Sequence, residues 1–328
     1  MSRRGVARAL HLFLDAYLDE LASLTPRDVA APSLFYGRGG IGHALLRAGT
    51  LRGDRALIVA ARRWADAGLR GRASPKGSYG LGVAGLHALR AQIAVALGES
   101  PDADVARFLT ASRRARGSAD LFRGRAGRLA GAAILARIAP SAELLAHGRT
   151  LAARTLATRL RSRGLAHGRD GLALAALAWE RAVPSLPHAA LAAAVRACSP
   201  GAVRHFDWAA GHAGSATLHA RAYEVLGDPQ LLARAREAAA RAYAATPPNN
   251  PVLWNGTAGI AYALLALARI DPAGPWRDLV WNVAAVMLDA VDILHRDPHS
   301  LCVGLAGPFC LALDLAHDAD AGFPGVEA

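Results

Sequence analysis

Residues 124–135 read GRAGRLAGAAIL, a Gly-x-x-Gly pair that opens a run of small and apolar residues. The same arrangement occurs seven times along the chain. The seven pairs are residues 37–40, 82–85, 124–127, 168–171, 211–214, 256–259 and 304–307. Their first glycines are 45, 42, 44, 43, 45 and 48 residues apart. A period this regular predicts an internal structural repeat and is not a chance scatter of the 33 glycines.

Each repeat has room for two helices of about 15 residues and two short connections. The segments between the glycine pairs are rich in Ala, Leu and Arg, and their apolar residues recur at helical spacing. The strongest predicted helices are 54–70, 102–116, 142–162, 228–245 and 275–294. Asp228-Pro229 and Asp271-Pro272 precede two of the helical runs, where a capping carboxylate and a first-turn proline belong. No stretch alternates as a strand would, so the predicted fold class is all-α.

The two helices of each repeat differ in composition. The helix that follows the glycines is small and apolar, as a crowded inner layer requires, and its partner carries the Arg and Asp of an outer layer. We expect the glycines to provide positive φ angles and close helix approach. Seven hairpins could stack as an open solenoid or close into a ring. Few inner side chains are large and no polar capping repeat is evident, and both points favour closure.

The predicted architecture is therefore an α/α toroid of seven inner and seven outer helices. It forms a single domain over residues 1–328, with the repeats over 33–316 and an N-terminal helix over 5–24. In a closed ring the loops that precede the inner helices gather at one end. We expect the functional site at that end.

Composition excludes several classes of protein. Hydrophobic residues make up 53% of the chain, which argues against disorder. No apolar run of about 18 residues lacks a charge, so no membrane span is expected, and the acidic Asp15, Asp19 and Glu20 argue against a secretory signal. Three scattered cysteines fit a reducing, cytoplasmic location.

The net charge of +12 does not indicate a nucleic-acid partner. Lys76 is the only lysine among the 38 basic residues, and the arginines are spread along the chain without a dense basic tail. This bias, together with the abundance of alanine, is typical of a GC-rich genome. An acidic peptide partner is a weaker inference from the same charge.

Two repeats carry a more specific signature, DLFRGRAG at 120–127 and GLAHG at 164–168. With the glycine repeat from about Ser33 to Leu315, they resemble the lanthionine synthetase C-like family, the cyclases of lanthipeptide biosynthesis. The resemblance implies a double ring of seven inner and seven outer helices. It also implies an activity, the addition of a peptide Cys thiol to a dehydroalanine or dehydrobutyrine, which closes a thioether ring.

The resemblance assigns proton handling to Asp120 and His167, which match the family's aspartate and histidine before the third and fourth glycine pairs. Its zinc ligands do not carry over. Ala209 stands where the family usually has a cysteine, and Trp254 and Asn255 stand where it usually has Cys-His. None of the three can replace a thiolate or an imidazole on zinc, so we expect no metal and no other cofactor.

This pattern resembles the zinc-free cyclases of systems that install the alkene with a kinase and a lyase. The expected partners are a precursor peptide, with its leader and dehydrated core, and a separate kinase and lyase. Because an unperturbed Cys, with a pKa of about 8.5, is only slightly ionised near neutrality, a general base is needed. We expect His167 to take the thiol proton and return one to carbon, and Asp120 to orient the imidazole.

Other side chains at the loop end are expected to contact the peptide. They are Tyr36, Arg123, Arg125, Trp208, His212, Trp254, Asn255 and Cys302. Simpler roles stay open: Asp120 as a helix cap, His167 as a turn hydrogen-bonder, the tryptophans as core residues, His212 as a surface residue and Cys302 as a buried thiol. A substitute metal site from Cys302, His167 and His212 lacks supporting local spacing.

Two other functions are alternatives to a cyclase. A pseudoenzyme that has lost its zinc ligands could hold the precursor peptide or scaffold the kinase and lyase. A toroidal glycosidase or terpene cyclase is less compatible, because the loops offer few carboxylates and no catalytic pair.

Overall fold

The computed structural model describes residues 2–71, 77–115, 117–198, 205–293, 299–319 and 322–327. This described part contains fourteen α-helices, a short 3-10 turn at Val291–Ile293 and no strand. The inner helices are α2 (Arg38–Arg52), α4 (Val83–Ala96), α6 (Arg125–Ile138), α8 (Arg169–Ala182), α10 (His212–Leu226), α12 (Thr257–Ile270) and α14 (Ala306–Ala316). The outer helices are α1 (Arg3–Ser23), α3 (Arg55–Arg70), α5 (Asp102–Arg114), α7 (Ala142–Leu156), α9 (His188–Ala197), α11 (Pro229–Ala244) and α13 (Trp276–Ala290). The all-α prediction is confirmed.

The inner helices close into a ring. Each inner helix contacts the next, and the last, α14, contacts both α12 and the first, α2. The N-terminal helix α1 packs on α13 and α14 and so supplies the seventh outer helix. The predicted toroid of seven inner and seven outer helices is confirmed.

Composition explains the two layers. Every residue of α6 from Ala126 to Ala136 is buried, because an inner helix is enclosed by two ring neighbours and by the outer layer. The outer helix α11 buries only one face, which includes Leu231, Ala235 and Ala242. Small side chains in the inner layer therefore let the helices converge, and amphipathic outer helices shield them from water.

Local signals set most outer-helix starts. Asp228 accepts a hydrogen bond from the Gln230 N–H at 2.9 Å and caps α11, as predicted. The same prediction for Asp271 is wrong. Asp271 ends α12, and its carboxylate accepts hydrogen bonds from Arg236 and from Trp276 Nε1, so α13 begins only at Trp276.

The ends of three predicted helices need correction or fall outside the described residues. The predicted helix 142–162 ends at Leu156, and the Thr158 hydroxyl then donates to the Arg154 carbonyl as the chain leaves the helix. Residues 116 and 294, the predicted ends of two other helices, lie outside the described residues.

The glycine pairs act mainly through the absence of a Cβ. Gly37 has a φ of 77°, but the first glycines of the next five repeats are extended, with φ between −111° and −134°. The predicted positive φ is therefore wrong for those five. A Cβ on the second glycine would instead collide with backbone: one on Gly171 would meet the Leu165 carbonyl, and one on Gly214 the Trp208 carbonyl.

Residues 322–327 fill the interior of the ring. Phe323 stacks on Trp208 with ring centroids 3.6 Å apart, and Val326 is 1% exposed. The Glu327 carboxylate accepts hydrogen bonds from Arg221 of α10 at 2.6 Å and from the Phe323 N–H at 3.0 Å. This turn therefore packs against the inner helices from the lumen side.

Candidate active site at the loop end of the ring

A circuit of hydrogen bonds joins the seven loops that precede the inner helices. It runs through the residue two places before each first glycine, and we call these residues the loop belt. They are Phe35, Gly80, Phe122, Ala166, Ala209, Trp254 and Cys302. Six belt N–H groups donate to the carbonyl of a neighbouring belt residue at 2.9–3.1 Å, and the Ser78 hydroxyl donates to the Phe122 carbonyl at 3.4 Å to complete the circuit. The belt holds the loops in a fixed order around one opening.

Large belt side chains form an aromatic floor across this opening. The rings of Phe35, Phe122 and Trp254 meet there, with centroids 5.0–5.7 Å apart. Phe35 and Phe122 are buried, and Trp254 is half-buried. Trp254 is therefore the ring of the three that offers apolar contact area to a peptide, and the two phenylalanines support it from below.

The residues immediately before the first glycines form a rim around the floor. They are Tyr36, Leu81, Arg123, His167, Ala210, Asn255 and Val303. Four of them, Arg123, His167, Ala210 and Asn255, are exposed. His167 is the one imidazole on the rim, and its side chain is 52% exposed.

His167 pairs with Asp120. The Nδ1 atom of His167 lies 3.0 Å from Oδ2 of Asp120, whose side chain is 9% exposed. The edge of the imidazole also meets the Phe122 ring, with centroids 5.2 Å apart. No described residue hydrogen-bonds Nε2 of His167. A carboxylate that accepts a hydrogen bond from Nδ1–H favours the tautomer in which Nε2 carries the free lone pair.

Asp120 also has a structural task that recurs around the ring. Its Oδ1 atom accepts a hydrogen bond from the Arg123 N–H at 2.6 Å, which tightens the third loop. In four other loops, the side chain three residues before the rim residue accepts a hydrogen bond from the N–H of that rim residue. These side chains are those of Ser33, Ser78, Asp207 and Ser300. Asp120 therefore caps a turn and not the third inner helix, and among the described residues it alone of these five also binds an imidazole.

Three of the predicted peptide contacts lie at the opening. Tyr36 packs edge-on against Phe122 with centroids 5.8 Å apart, and Arg123 is exposed on the rim. Asn255 is exposed, and its carbonyl accepts a hydrogen bond from Asn250 Nδ2. Trp254, a fourth, belongs to the floor.

Two predicted contacts are placed in the core. Trp208 is fully buried under the floor, where it stacks between Phe323 and Trp254. Cys302 is 1% exposed, and burial raises the pKa of its thiol well above the usual value. In this structure neither side chain can touch a peptide at the opening, because the lumen turn and the belt enclose them.

Arg125 and His212 face the periphery of the loop end. The Arg125 guanidinium donates to the Thr158 hydroxyl and to the Arg154 carbonyl, so it braces the end of α7, and burial and then Arg154 lower its pKa. His212 is half-buried at the start of α10, and burial lowers its pKa. His212 has no hydrogen bond to the Asp120–His167 pair.

The residues at the expected zinc positions do not fit zinc. Ala209 offers a methyl group, the Trp254 indole offers only an N–H donor, and Asn255 offers an amide. Within the described ranges no group of three His, Cys, Asp or Glu side chains is arranged to hold a metal ion. The alternative set of Cys302, His167 and His212 is therefore not assembled.

Sequence reasoning missed three aromatic residues of this region. Phe35 and Phe122 build the floor, and Phe323 supports it from the lumen. A signal for the first two exists, since both stand two places before a first glycine, the position that Trp254 also occupies. No repeat signal marks Phe323.

The closed double ring of seven inner and seven outer helices defines an all-helical toroid of the lanthipeptide cyclase type. The chain matches the family "Lanthionine synthetase C-like protein" over residues 9–328, and it belongs to that family.

Two relatives illustrate the similarity. The chain is 33% identical over 143 residues to LanC-like protein GCL1 of Arabidopsis thaliana, a match that covers 40% of this chain and about a third (32%) of that protein's length. Among solved structures, nisin cyclase superposes with a TM-score of 0.70 at 12% identity, over 98% of this chain and 96% of that chain. This likeness shows the fold. No described helix is both long enough and apolar enough to cross a membrane.

Proposed function

We propose that this protein is a zinc-independent lanthipeptide cyclase. It adds a Cys thiol of a precursor peptide to a dehydroalanine or dehydrobutyrine of the same peptide and closes a thioether ring. The observation that carries the proposal is the contact between His167 Nδ1 and Asp120 Oδ2 at the opening of a cyclase-type toroid. Family membership supports the reaction class. The side chains at the expected zinc positions do not fit zinc, and this supports a mechanism without that metal.

His167 moves the proton in both halves of the reaction. Nε2 accepts the proton of the Cys thiol, and the thiolate sulfur attacks the β-carbon of the alkene. The C–S bond forms as the C=C π bond breaks, and its electron pair passes to the α-carbon as an enolate. The imidazolium then returns a proton to that carbon, so the addition is redox-neutral. A positioned base of this kind contributes about 10²–10⁴-fold to the rate.

Asp120 and the aromatic floor position the reactants. The carboxylate holds the imidazole in the tautomer with Nε2 free and stabilises the imidazolium that forms. The partly exposed Trp254 of the floor supplies apolar surface against which a peptide side chain packs. Because both reacting groups belong to one peptide, holding them in contact removes much of the remaining barrier.

The substrate implies further partners. The alkene arises from Ser or Thr by phosphorylation and elimination, so a kinase and a lyase act on the precursor first. We propose that these are separate proteins and that the reaction takes place in the cytoplasm. The three free, buried cysteines are compatible with a reducing compartment.

The test is ring closure of a dehydrated precursor by purified His167→Asn. We expect the rate to fall by about 10²–10⁴-fold relative to the native protein. Because the addition does not change the mass of the peptide, the readout is mass spectrometry after thiol alkylation. His11→Asn, on the exposed face of α1, is the matched histidine control.

Two outcomes would overturn parts of the proposal. If His167→Asn closed rings at the native rate, His167 would not be the general base. Loss of activity on treatment with a chelator, followed by recovery with zinc, would contradict zinc independence. A reaction without protein gives the spontaneous rate.

A second candidate is a peptide-binding pseudoenzyme. The observation that favours it is the packing of Trp254 against Phe35, Phe122 and Trp208, which closes the centre of the opening where the family's metal would be expected. The purified chain would then leave the alkenes unreacted and would only raise the activity of the kinase or the lyase.

A further inference from the structure

A groove opens beside the loop end of the fourth repeat. It lies between the end of α7, the start of α8 and the outer helix α9, and its volume is about 510 Å³. Four alanines of α9, Ala190, Ala193, Ala194 and Ala197, form one wall. The groove exists because this short helix presents methyl groups where larger side chains would fill the space. Leu156 and Leu172 contribute apolar surface from α7 and α8.

The lip of this groove is strongly basic. Arg159 and Arg169 line it, and Arg161 and Arg163 are exposed in the same connection between α7 and α8. Within the described ranges, none of these four guanidinium groups forms an ion pair with a carboxylate. The acid of this segment, Asp170, accepts a hydrogen bond from the Gly164 N–H at 3.0 Å. The cluster is thus an uncompensated positive surface.

Two polar groups at the groove also lack partners. Thr155 lines the groove and is 1% exposed, yet its hydroxyl has no hydrogen-bond partner. The buried Nε atom of Arg169 has none either. Buried donors and acceptors are nearly always paired in folded proteins. A peptide backbone that enters the groove could supply hydrogen bonds to these two groups.

The groove is connected to the proposed active site through one short segment. Arg169 begins α8 two residues after His167. The basic lip and His167 therefore belong to the same short connection between α7 and α8.

We propose that this groove binds an acidic segment of the substrate peptide that also carries apolar residues. This inference rests on the proposed function and names the chemistry of the bound segment. Acidic side chains pair with the four arginines, and apolar side chains enter the alanine-walled interior. Charge complementarity alone would also suit nucleic acid, but an apolar interior with leucines and alanines favours a peptide.

The test is a direct binding measurement that needs no catalysis. The probe is a short fluorescein-labelled peptide built from Glu and Leu, and its anisotropy reports binding to the native protein. The comparison probes are a Gln/Leu peptide, a Glu-only peptide and a single-stranded oligonucleotide of the same charge. We expect the Glu/Leu peptide to bind most tightly and its affinity to fall with added salt.

Two kinds of variant separate charge from shape. Arg159→Gln/Arg169→Gln removes the two lip charges that line the groove, and Ala193→Trp fills the groove without changing its charge. We expect each to weaken binding of the Glu/Leu probe by about tenfold or more, a loss of the size that charge-assisted contacts give. Arg4→Gln/Arg8→Gln, on exposed positions of α1, removes the same charge elsewhere and is the matched control.

The outcomes distinguish this inference from the proposed function. If the native protein bound the probe but closed no rings, the groove would still be a peptide-binding site and the proposed cyclase activity would be rejected. Ring closure without probe binding would reject the groove. Equal loss in the α1 control, equal binding of the Gln/Leu peptide, or tighter binding of the oligonucleotide would also overturn it. Circular dichroism of each variant verifies that the fold is retained.

Discussion

At the scale of single residues, the two carboxylate oxygens of Asp120 make different contacts. Oδ1 accepts the Arg123 N–H at 2.6 Å, and Oδ2 lies 3.0 Å from His167 Nδ1. Asp207 makes the first contact alone: its Oδ1 accepts the Ala210 N–H at 2.7 Å, and no imidazole of the described residues is hydrogen-bonded to its carboxylate. The chain thus contains a natural comparison between a turn-capping aspartate and one that also orients a histidine.

Asp120→Asn is expected to impair ring closure much more than folding. The amide oxygen still accepts the Arg123 N–H, so the loop is retained. The amide nitrogen would face Nδ1 as a donor and favour the tautomer in which Nε2 is protonated and no longer basic. We expect ring closure to slow by about 10²-fold or more, with little change in the melting temperature.

Asp207→Asn is the control for that measurement. It changes the same turn position in the fifth loop and leaves His167 untouched. If the two variants lost activity equally, or if Asp120→Asn lost activity only in proportion to its stability, Asp120 would have a structural role alone.

Sequence patterns located this pair but not its surroundings. The motifs at 120–127 and 164–168 pointed to Asp120 and His167, and the structure places the two in contact. Trp208 and Cys302 stand in the fifth and seventh loops of the same end, yet both are buried, and Trp208 is covered by Phe323 of the distant segment 322–327. The direction in which a loop side chain points follows from this distant packing, which no local pattern encodes.

At the scale of helices and loops, the second glycine of each pair fixes how an inner helix begins. The loop folds back on the first helical turn, and its carbonyl occupies the space that a Cβ would need, as at Gly214 beside the Trp208 carbonyl. The spacing of the glycines predicted the repeat, but their backbone angles could not be deduced from it. Composition predicts the helices, whereas their ends follow from competing contacts, as at Asp271.

Gly214→Ala is expected to destabilise the protein more than Gly227→Ala. Gly214 lies in the first turn of α10 and Gly227 directly follows its last residue, so both substitutions affect the same helix. A Cβ on Gly214 would press on backbone and on Leu165, while Gly227 has a φ of 68° and open space around its Cβ position. At Gly227 the cost is the left-handed conformation, about 1 kcal/mol. At Gly214 the loop must shift, which costs about 1–3 kcal/mol.

Urea unfolding of the two variants measures this difference. A larger shift of the midpoint for Gly214→Ala, with an unchanged slope, supports the steric account. Equal shifts would mean that the loop accommodates a methyl group at position 214. Steric conflict with the Trp208 carbonyl would then not explain why glycine stands there.

At the scale of the whole molecule, the ring is closed by contacts between the first and last repeats. Arg47 of α2 donates from Nε to Asp314 of α14 at 2.6 Å, and the Tyr262 hydroxyl of α12 donates to the other carboxylate oxygen at 2.6 Å. The Asp314 side chain is 1% exposed. Seven repeats with no polar cap predicted closure, but the two residues of this pair are 267 positions apart and carry no joint sequence signal.

Asp314→Leu is therefore expected to weaken the ring at its seam. The substitution leaves a buried guanidinium and a buried hydroxyl without their acceptor, and breaking a buried pair in this way costs roughly 3–5 kcal/mol. Adding Arg47→Met removes the uncompensated charge, so the double variant should recover part of that loss. Glu99→Gln breaks the exposed pair with Arg62 and is the control, expected to cost less than about 1 kcal/mol. Urea unfolding of the native protein, of the single variants Asp314→Leu and Arg47→Met, and of the double variant gives the coupling energy of the Arg47–Asp314 pair. If Asp314→Leu cost no more than Glu99→Gln, this seam would not hold the toroid closed, and the packing of α14 against α2 and α12 would have to account for closure alone.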